Sequence, residues 1–189
     1  MMIFRIAVAA VAIAGSANAT TFTVAAMGNS SSGGTALATI ALHAGQSFHV
    51  TASTNDLWSA GALPRYSDAN GLTGTRFAAA TDDSGQPVGT QIGTNFGTWT
   101  QSGFSAPYGA LVGQIGSTFT LLGTNFSGTA AATGTLKLLY WDSNNGDNTG
   151  TVAATVTAVP EPAVWALMIG GFGLVGAAQR RRRSGYAAA

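Results

Sequence analysis

The sequence predicts an all-β fold, a single jelly-roll-like β-sandwich domain flanked by two apolar terminal segments. Three observations predict it. Apolar and polar residues alternate with a period of two in several stretches, glycine- and asparagine-rich breaks separate those stretches, and no amphipathic helical stretch occurs between Thr20 and Val159. The expected organisation is a signal peptide over 1–19, a sandwich domain over 20–158 and an apolar, arginine-ended segment over 159–189.

Thr21 to Ala25 and Ala36 to Leu42 read as the first strands. Phe48, Val50 and Ala52 then alternate with Ser47, His49 and Thr51. Ala110 to Ile115 and Thr118 to Leu122 follow as strands. Leu136, Leu138 and Tyr140 alternate with Thr135, Lys137 and Leu139, which turns Tyr140 inward and Trp141 outward. Val152, Ala154, Val156 and Ala158 alternate with Thr151, Ala153, Thr155 and Thr157. Between Trp58 and Gln101 the pattern lapses. Pro64, Pro87, many glycines and Asp82-Asp83-Ser84-Gly85 predict a long loop region with room for a hairpin, and such loops often bind ligands. Gly93-Thr94-Asn95-Phe96 and Gly123-Thr124-Asn125-Phe126 echo each other without establishing a repeat.

The whole chain carries a net charge of +1 over 189 residues, but the ends supply it. Within 20–159, Arg65, Arg76 and Lys137 stand against Asp56, Asp68, Asp82, Asp83, Asp142 and Asp147, a net of −3. A mildly acidic domain without a basic patch gives nucleic-acid binding no electrostatic support. The absence of cysteine excludes a thiol nucleophile and a thiolate zinc site, and it leaves the domain to stand on its core.

Both ends read as addresses. Arg5, the apolar run Ile6 to Gly15 and the small-x-small triplet Ala17-Asn18-Ala19 predict a secretory signal peptide cleaved after Ala19. Near the other end, Ala163 to Ala178 contains no charged residue, and Arg180, Arg181, Arg182 and Arg183 follow. As a helix that span is about 24 Å long, and flanking residues extend it toward a hydrocarbon core of about 30 Å. The arginines hold their end in the cytoplasm, while Trp165 suits the opposite lipid–water boundary. Gly170, Gly173, Gly176 and Ala177 leave one side of the helix without bulk.

Pro160-Glu161-Pro162, then Trp165-Ala166, the apolar span and the arginine block resemble the PEP-CTERM sorting signal of Gram-negative bacteria in its PEP-x-x-W-A form. The resemblance implies recognition by an exosortase, a membrane protease that processes the chain near Pro160–Pro162. It also implies transient residence in the inner membrane, then the cell surface or an exopolysaccharide and biofilm matrix.

Within the domain, the chemistry concentrates in Tyr140-Trp141-Asp142-Ser143-Asn144-Asn145-Gly146-Asp147-Asn148-Thr149-Gly150. Two carboxylates, three amides and main-chain carbonyls offer the oxygen ligands that calcium prefers. A plain hairpin turn would recruit the same residue types. Together with Gly109-Ala110-Leu111-Val112-Gly113-Gln114-Ile115-Gly116, the loop resembles the bacterial galactophilic lectins of the PA-I type, small β-sandwiches in which calcium bridges the protein and two galactose hydroxyls. The resemblance implies Ca2+ held by Asp142, Asp147 and Asn148, by Asn144 or Asn145, and by the backbone carbonyl near Ala60. It departs from the family in a shorter loop, in Asp147 standing where that family has asparagine, and in a longer Gly71 to Tyr108 region. Trp141 is the candidate to stack on a sugar face, with Trp58 and Tyr66 as alternatives.

Other chemistry is thin. His43 and His49 have no metal-motif spacing and read as surface residues, and no Gly-x-Ser-x-Gly occurs. Nothing places two carboxylates across one glycosidic bond, although Asp82 and Asp83 adjoin. Seven Thr-x-Thr triplets are spaced too irregularly for stacked coils. The expectation is therefore not an enzyme but an exported carbohydrate-binding module, galactoside-like in its ligand. A structural matrix protein without a specific ligand is the second reading, and a secreted hydrolase the third.

Overall fold

The computed structural model describes residues 18–159, 170–176 and 179–180. Ala17–Val159 forms one compact unit, and the terminal segments fall outside it. Among the described residues the protein is mostly β, with 48% strand and 6% helix, and its sheets are curled.

Among the described residues, fourteen strands follow one another. They are β1 (Asn18–Ala25), β2 (Leu37–Leu42), β3 (Ser47–Ala52), β4 (Trp58–Ser59), β5 (Tyr66–Ser67), β6 (Arg76–Phe77) and β7 (Gln91–Gly93). Then come β8 (Thr98–Gln101), β9 (Phe104–Pro107), β10 (Ala110–Ile115), β11 (Thr118–Leu121), β12 (Asn125–Thr129), β13 (Gly134–Trp141) and β14 (Thr149–Ala158). A six-stranded sheet runs β12-β3-β14-β4-β5, with β1 on the free side of β14. A four-stranded sheet runs β11-β10-β13-β2, and β6–β7 and β8–β9 form separate hairpins.

The period-two pattern explains the core. Val24, Val50, Val152, Ala154 and Val156 from the larger sheet meet Leu42, Leu111, Leu136, Leu138 and Tyr140 from the smaller one in a single buried cluster. In register, Val24 faces Val152, and Val156 faces Val50. The same alternation sends Thr21, Thr155, Thr51 and Asn125 to the outer face in one row across β1, β14, β3 and β12.

The irregular stretch from Trp58 onward contributes β4 to β8, and the β8–β9 hairpin ends beyond it at Pro107. Trp141 points outward as expected, but that hairpin covers it and corrects its expected exposure to a sugar. Ala106, Phe104 and Trp99 fold over the outer side of the four-stranded sheet and meet Phe119, Val112 and Trp141 in a second cluster. Trp141 is fully buried there and donates from Nε1 to the Trp99 carbonyl at 2.8 Å. Both sides of β13 are covered, so alternation no longer separates wet from dry.

The expected signal peptide lies mostly outside the described residues, and its cleavage point after Ala19 falls early in β1. Pro160, Glu161, Pro162, Trp165, Ala166, Arg181, Arg182 and Arg183 also lie outside them. Residues 170–176 of the expected membrane span are helical, as is Arg180. Among the described residues, no helix is long and apolar enough to cross a membrane.

Candidate functional site

Residues 142–148 are not a hairpin turn. They join β13 to β14, which belong to different sheets, so the loop closes one end of the shared core. Asp142 continues directly from β13 and is buried. Ser31 pins its backbone, donating from Oγ to the Asp142 carbonyl at 2.8 Å and accepting from the Asp142 N–H at 3.1 Å. The Ser143 N–H donates to Asp142 Oδ1 at 2.6 Å. Burial raises the Asp142 carboxyl above its ordinary 3.8; the Ser143 N–H, the Asn148 side chain and the Asn144 N–H pull it down only in part, and Asp147 adds to the rise.

Asn148 has no exposed surface. Its Nδ2 donates to the Ala26 carbonyl at 3.4 Å, and its Oδ1 is buried without a partner. An unpaired buried acceptor costs about 1–3 kcal/mol, a burden that folding alone gives no reason to keep. The hydroxyl of Tyr140 is likewise buried and unpartnered. Burial first, then Asp142 and Asp147, raise that phenol well above its ordinary range.

Asp147 sits further out. Its Oδ1 accepts from Asn144 Nδ2 at 3.0 Å, while Asn144 Oδ1 accepts from the Gly146 N–H at 3.2 Å. Asn145 points elsewhere, toward Gly33, where an added Cβ would lie 2.9 Å from its Oδ1. Of the two alternatives, Asn144 therefore stands with Asp147 and Asn145 apart from it.

The turn between β4 and β5 meets this loop from the other side. Gly61 has φ +117°, a conformation that favours glycine, and a Cβ there would come within 2.5 Å of Asp147 Oδ2. That close approach brings the Ala60 carbonyl and Asp147 to one cation: Arg65 Nη1 lies 3.4 Å from the Ala60 oxygen and 3.7 Å from Asp147 Oδ2. Arg65 also rests its guanidinium over Phe96, 4.6 Å from the ring centroid.

Ala60, Asp142, Asn144, Asp147 and Asn148 thus lie on one loop pair, Asn145 turns toward Gly33, and Trp141 is buried. Trp58 is buried as well, edge-on to Tyr140 at 4.6 Å and donating from Nε1 to the Gly109 carbonyl at 2.8 Å. The aromatic surface at this end comes from half-buried Tyr66 and exposed Phe96. Arg65 and Phe96 escaped sequence reasoning because thirty-one positions separate them and neither sits in a motif. Among the described residues, no group of three or more His, Cys, Asp or Glu could hold a metal, so amides and main-chain carbonyls must complete any shell. The donors fit calcium in kind: all oxygen, two carboxylates, and one amide oxygen already desolvated and unpaired.

Beside the turn, a polar recess of about 180 Å³ is lined by Tyr66, Asp68, Asn70, Thr73 and Arg76 among others. Its Asp68 and Arg76 form an ion pair at 3.1 Å, and Asn70 N–H donates to Asp68 Oδ1 at 2.8 Å.

Comparison with known proteins agrees with the reading of the C-terminus. Residues 158–183 match the family model of the PEP-CTERM protein-sorting motif. The motif implies export through the exosortase pathway with transient anchoring in the membrane. Among solved structures, the EclA N-terminal domain, described as a PllA-like lectin, is 19% identical with a TM-score of 0.45, covering 73% of this chain and 94% of that one. No curated protein sequence matches the chain.

Proposed function

We propose that this protein is an exported carbohydrate-binding module of the cell surface or exopolysaccharide matrix, with a calcium ion held at the 142–148 loop as the bridge to a galactoside-like glycan. The two sheets that share one core support reading the domain as a jelly-roll-like β-sandwich with this loop at one end. One observation carries the proposal. A fully buried Asn148 keeps an unpaired oxygen on the loop that bears Asp142 and Asp147, and the Ala60 carbonyl approaches Asp147.

Asp142, Asp147, Asn148, Asn144 and the Ala60 carbonyl are the groups that would hold the ion. A calcium ion held by these groups would supply Lewis acidity toward sugar hydroxyls. The chain's own part is to fix its oxygens: Ser31 holds the Asp142 backbone, and Gly61 lets Asp147 come close to the turn. Tyr66 and Phe96 offer ring surface to a sugar face in place of buried Trp141. Retention of the full chain on immobilised galactose should require calcium and end on addition of chelator. Retention that is absent, or indifferent to chelator, contradicts the proposal.

A structural matrix protein without a specific ligand is the second reading. The outer face of the larger sheet favours it, because its rows of Thr, Ser, Asn and His carry no formal charge and hydrogen-bond among themselves. A protein that ignores calcium and a glycan array yet stays in the matrix would decide for that reading.

A further inference from the structure

We propose that Arg65 is a built-in cation that occupies the Asp147 carboxylate and the Ala60 carbonyl, and that it sets the metal affinity of the loop pair by competing for those two oxygens. The inference rests on the calcium reading above and concerns how that site is regulated.

One nitrogen reaches both oxygens. Arg65 Nη1 lies 3.4 Å from the Ala60 oxygen and 3.7 Å from Asp147 Oδ2, and these groups come from the two loops that would share the ion. Both side chains are substantially exposed, at 38% and 48%, so the pair adds little to folding stability. A merely stabilising ion pair has no need to straddle two loops. The neighbouring Asp142 is buried and belongs to neither ion pair found among the described residues. Arg65 therefore answers Asp147 alone and leaves the Asp142 carboxylate without an ion-pair partner among the described residues. A divalent ion would cancel both carboxylate charges, but only with Arg65 out of the way.

Phe96 supplies the place to go. The guanidinium already lies over that exposed ring, so it can leave Asp147 and Ala60 and keep its cation–π contact. Arg65 is also anchored by its backbone, whose carbonyl accepts from the Ala60 N–H at 3.1 Å and from Ser59 Oγ at 3.2 Å. The turn thus holds its shape when the side chain changes.

A unit positive charge about 5 Å from a divalent ion, in a medium close to water, opposes binding by about tenfold. Isothermal titration of calcium chloride into the full chain tests this with three substitutions. Arg65→Met keeps the apolar stem and removes the charge, and calcium affinity should rise about tenfold. Arg65→Gln is a second uncharged variant that should tighten binding likewise. Arg65→Lys retains the charge and should stay within about threefold of the unmodified chain. Melting in chelator gives an independent readout: Arg65→Met should melt close to the unmodified chain without metal, yet gain more from calcium.

Equal calcium affinity in Arg65→Met, Arg65→Gln and the unmodified chain overturns the role of Arg65 and leaves the site standing. Binding by the uncharged variants alone supports it in its strongest form, with Arg65 closing the site. If no variant binds calcium, the site itself fails and the competition fails with it.

Discussion

The two surfaces at opposite sides of β14 differ in kind. On the outer face of the larger sheet, Thr21 faces Thr155 with 2.8 Å between hydroxyls, and His49 Nδ1 meets Ser127 Oγ at 2.7 Å. Every group there is neutral, satisfied or open to water, and the period-two pattern accounts for all of it. At one end of β14, the 142–148 loop holds a buried carboxylate and a buried amide with an unpaired oxygen. Strand periodicity does not ask for these groups, and each disfavours folding unless something else is gained. Polar residues that cost stability in one place, against polar residues that cost nothing in another, separate a candidate site from a scaffold.

Substitutions can break that contrast. The largest effect belongs to the core beneath the site: Trp141→Ala removes a ring packed at 5.2 Å against Phe104 and 5.4 Å against Phe119, and should lower stability by about 3–5 kcal/mol in urea denaturation. Gly61→Ala comes next. Its φ of +117° and the 2.5 Å approach of Asp147 Oδ2 predict a loss of about 1–3 kcal/mol, together with weaker calcium binding. Asn148→Ala sharpens the contrast, because it removes the unpaired oxygen together with the side-chain bonds to the Ala26 carbonyl and to Asp142. Metal-free stability should move by less than about 1 kcal/mol, while any calcium-dependent gain disappears. On the outer face, Thr155→Ala should change stability by about 0.5 kcal/mol or less.

Another small effect is one of pH. Burial raises the Asp56 carboxyl above 3.8, outweighing the Ala153 N–H that donates to it at 2.6 Å, and Asp83 raises it further. A folded pKa above the unfolded one means that the folded state holds the proton more tightly. Its contribution to stability is complete below about pH 3.8 and is lost as pH rises through the folded value. Asp56→Asn retains an acceptor for Ala153. Its stability relative to the unmodified chain should therefore rise between about pH 4 and 7, by less than about 1 kcal/mol because solvent screens the pair. An equal difference at both pH values would contradict that assignment.

Much of the scaffold was legible because one side of each strand is dry. Ala110 to Ile115 reads as a strand from its apolar run and is β10 to the residue. β12 was missed for a local reason: Gly128 occupies an inward position with no side chain, and the Phe126 ring fills the space, 2.5 Å from where a Cβ would stand. The period-two signal is therefore hidden in Asn-Phe-Ser-Gly-Thr. The two-residue strands β4 and β5 pair through Trp58 with Ser67 and Ser59 with Tyr66, a tertiary arrangement that no local pattern encodes. Trp141 was misread because alternation assumes solvent on one side of the sheet, and the β8–β9 hairpin removes it. The site was legible in its acidic, amide-rich loop, whereas its partners Gly61, Arg65 and Phe96 depend on folding to reach it.

The most direct test of the central claim is the thermal melting of the full chain across a calcium titration, with magnesium as the control ion. Calcium at about one hundred times its dissociation constant should stabilise the fold by about 2.7 kcal/mol, raising the melting temperature by about 5–10 °C, with chelator restoring the original value and magnesium without effect. A melting curve that does not move with calcium would contradict the site.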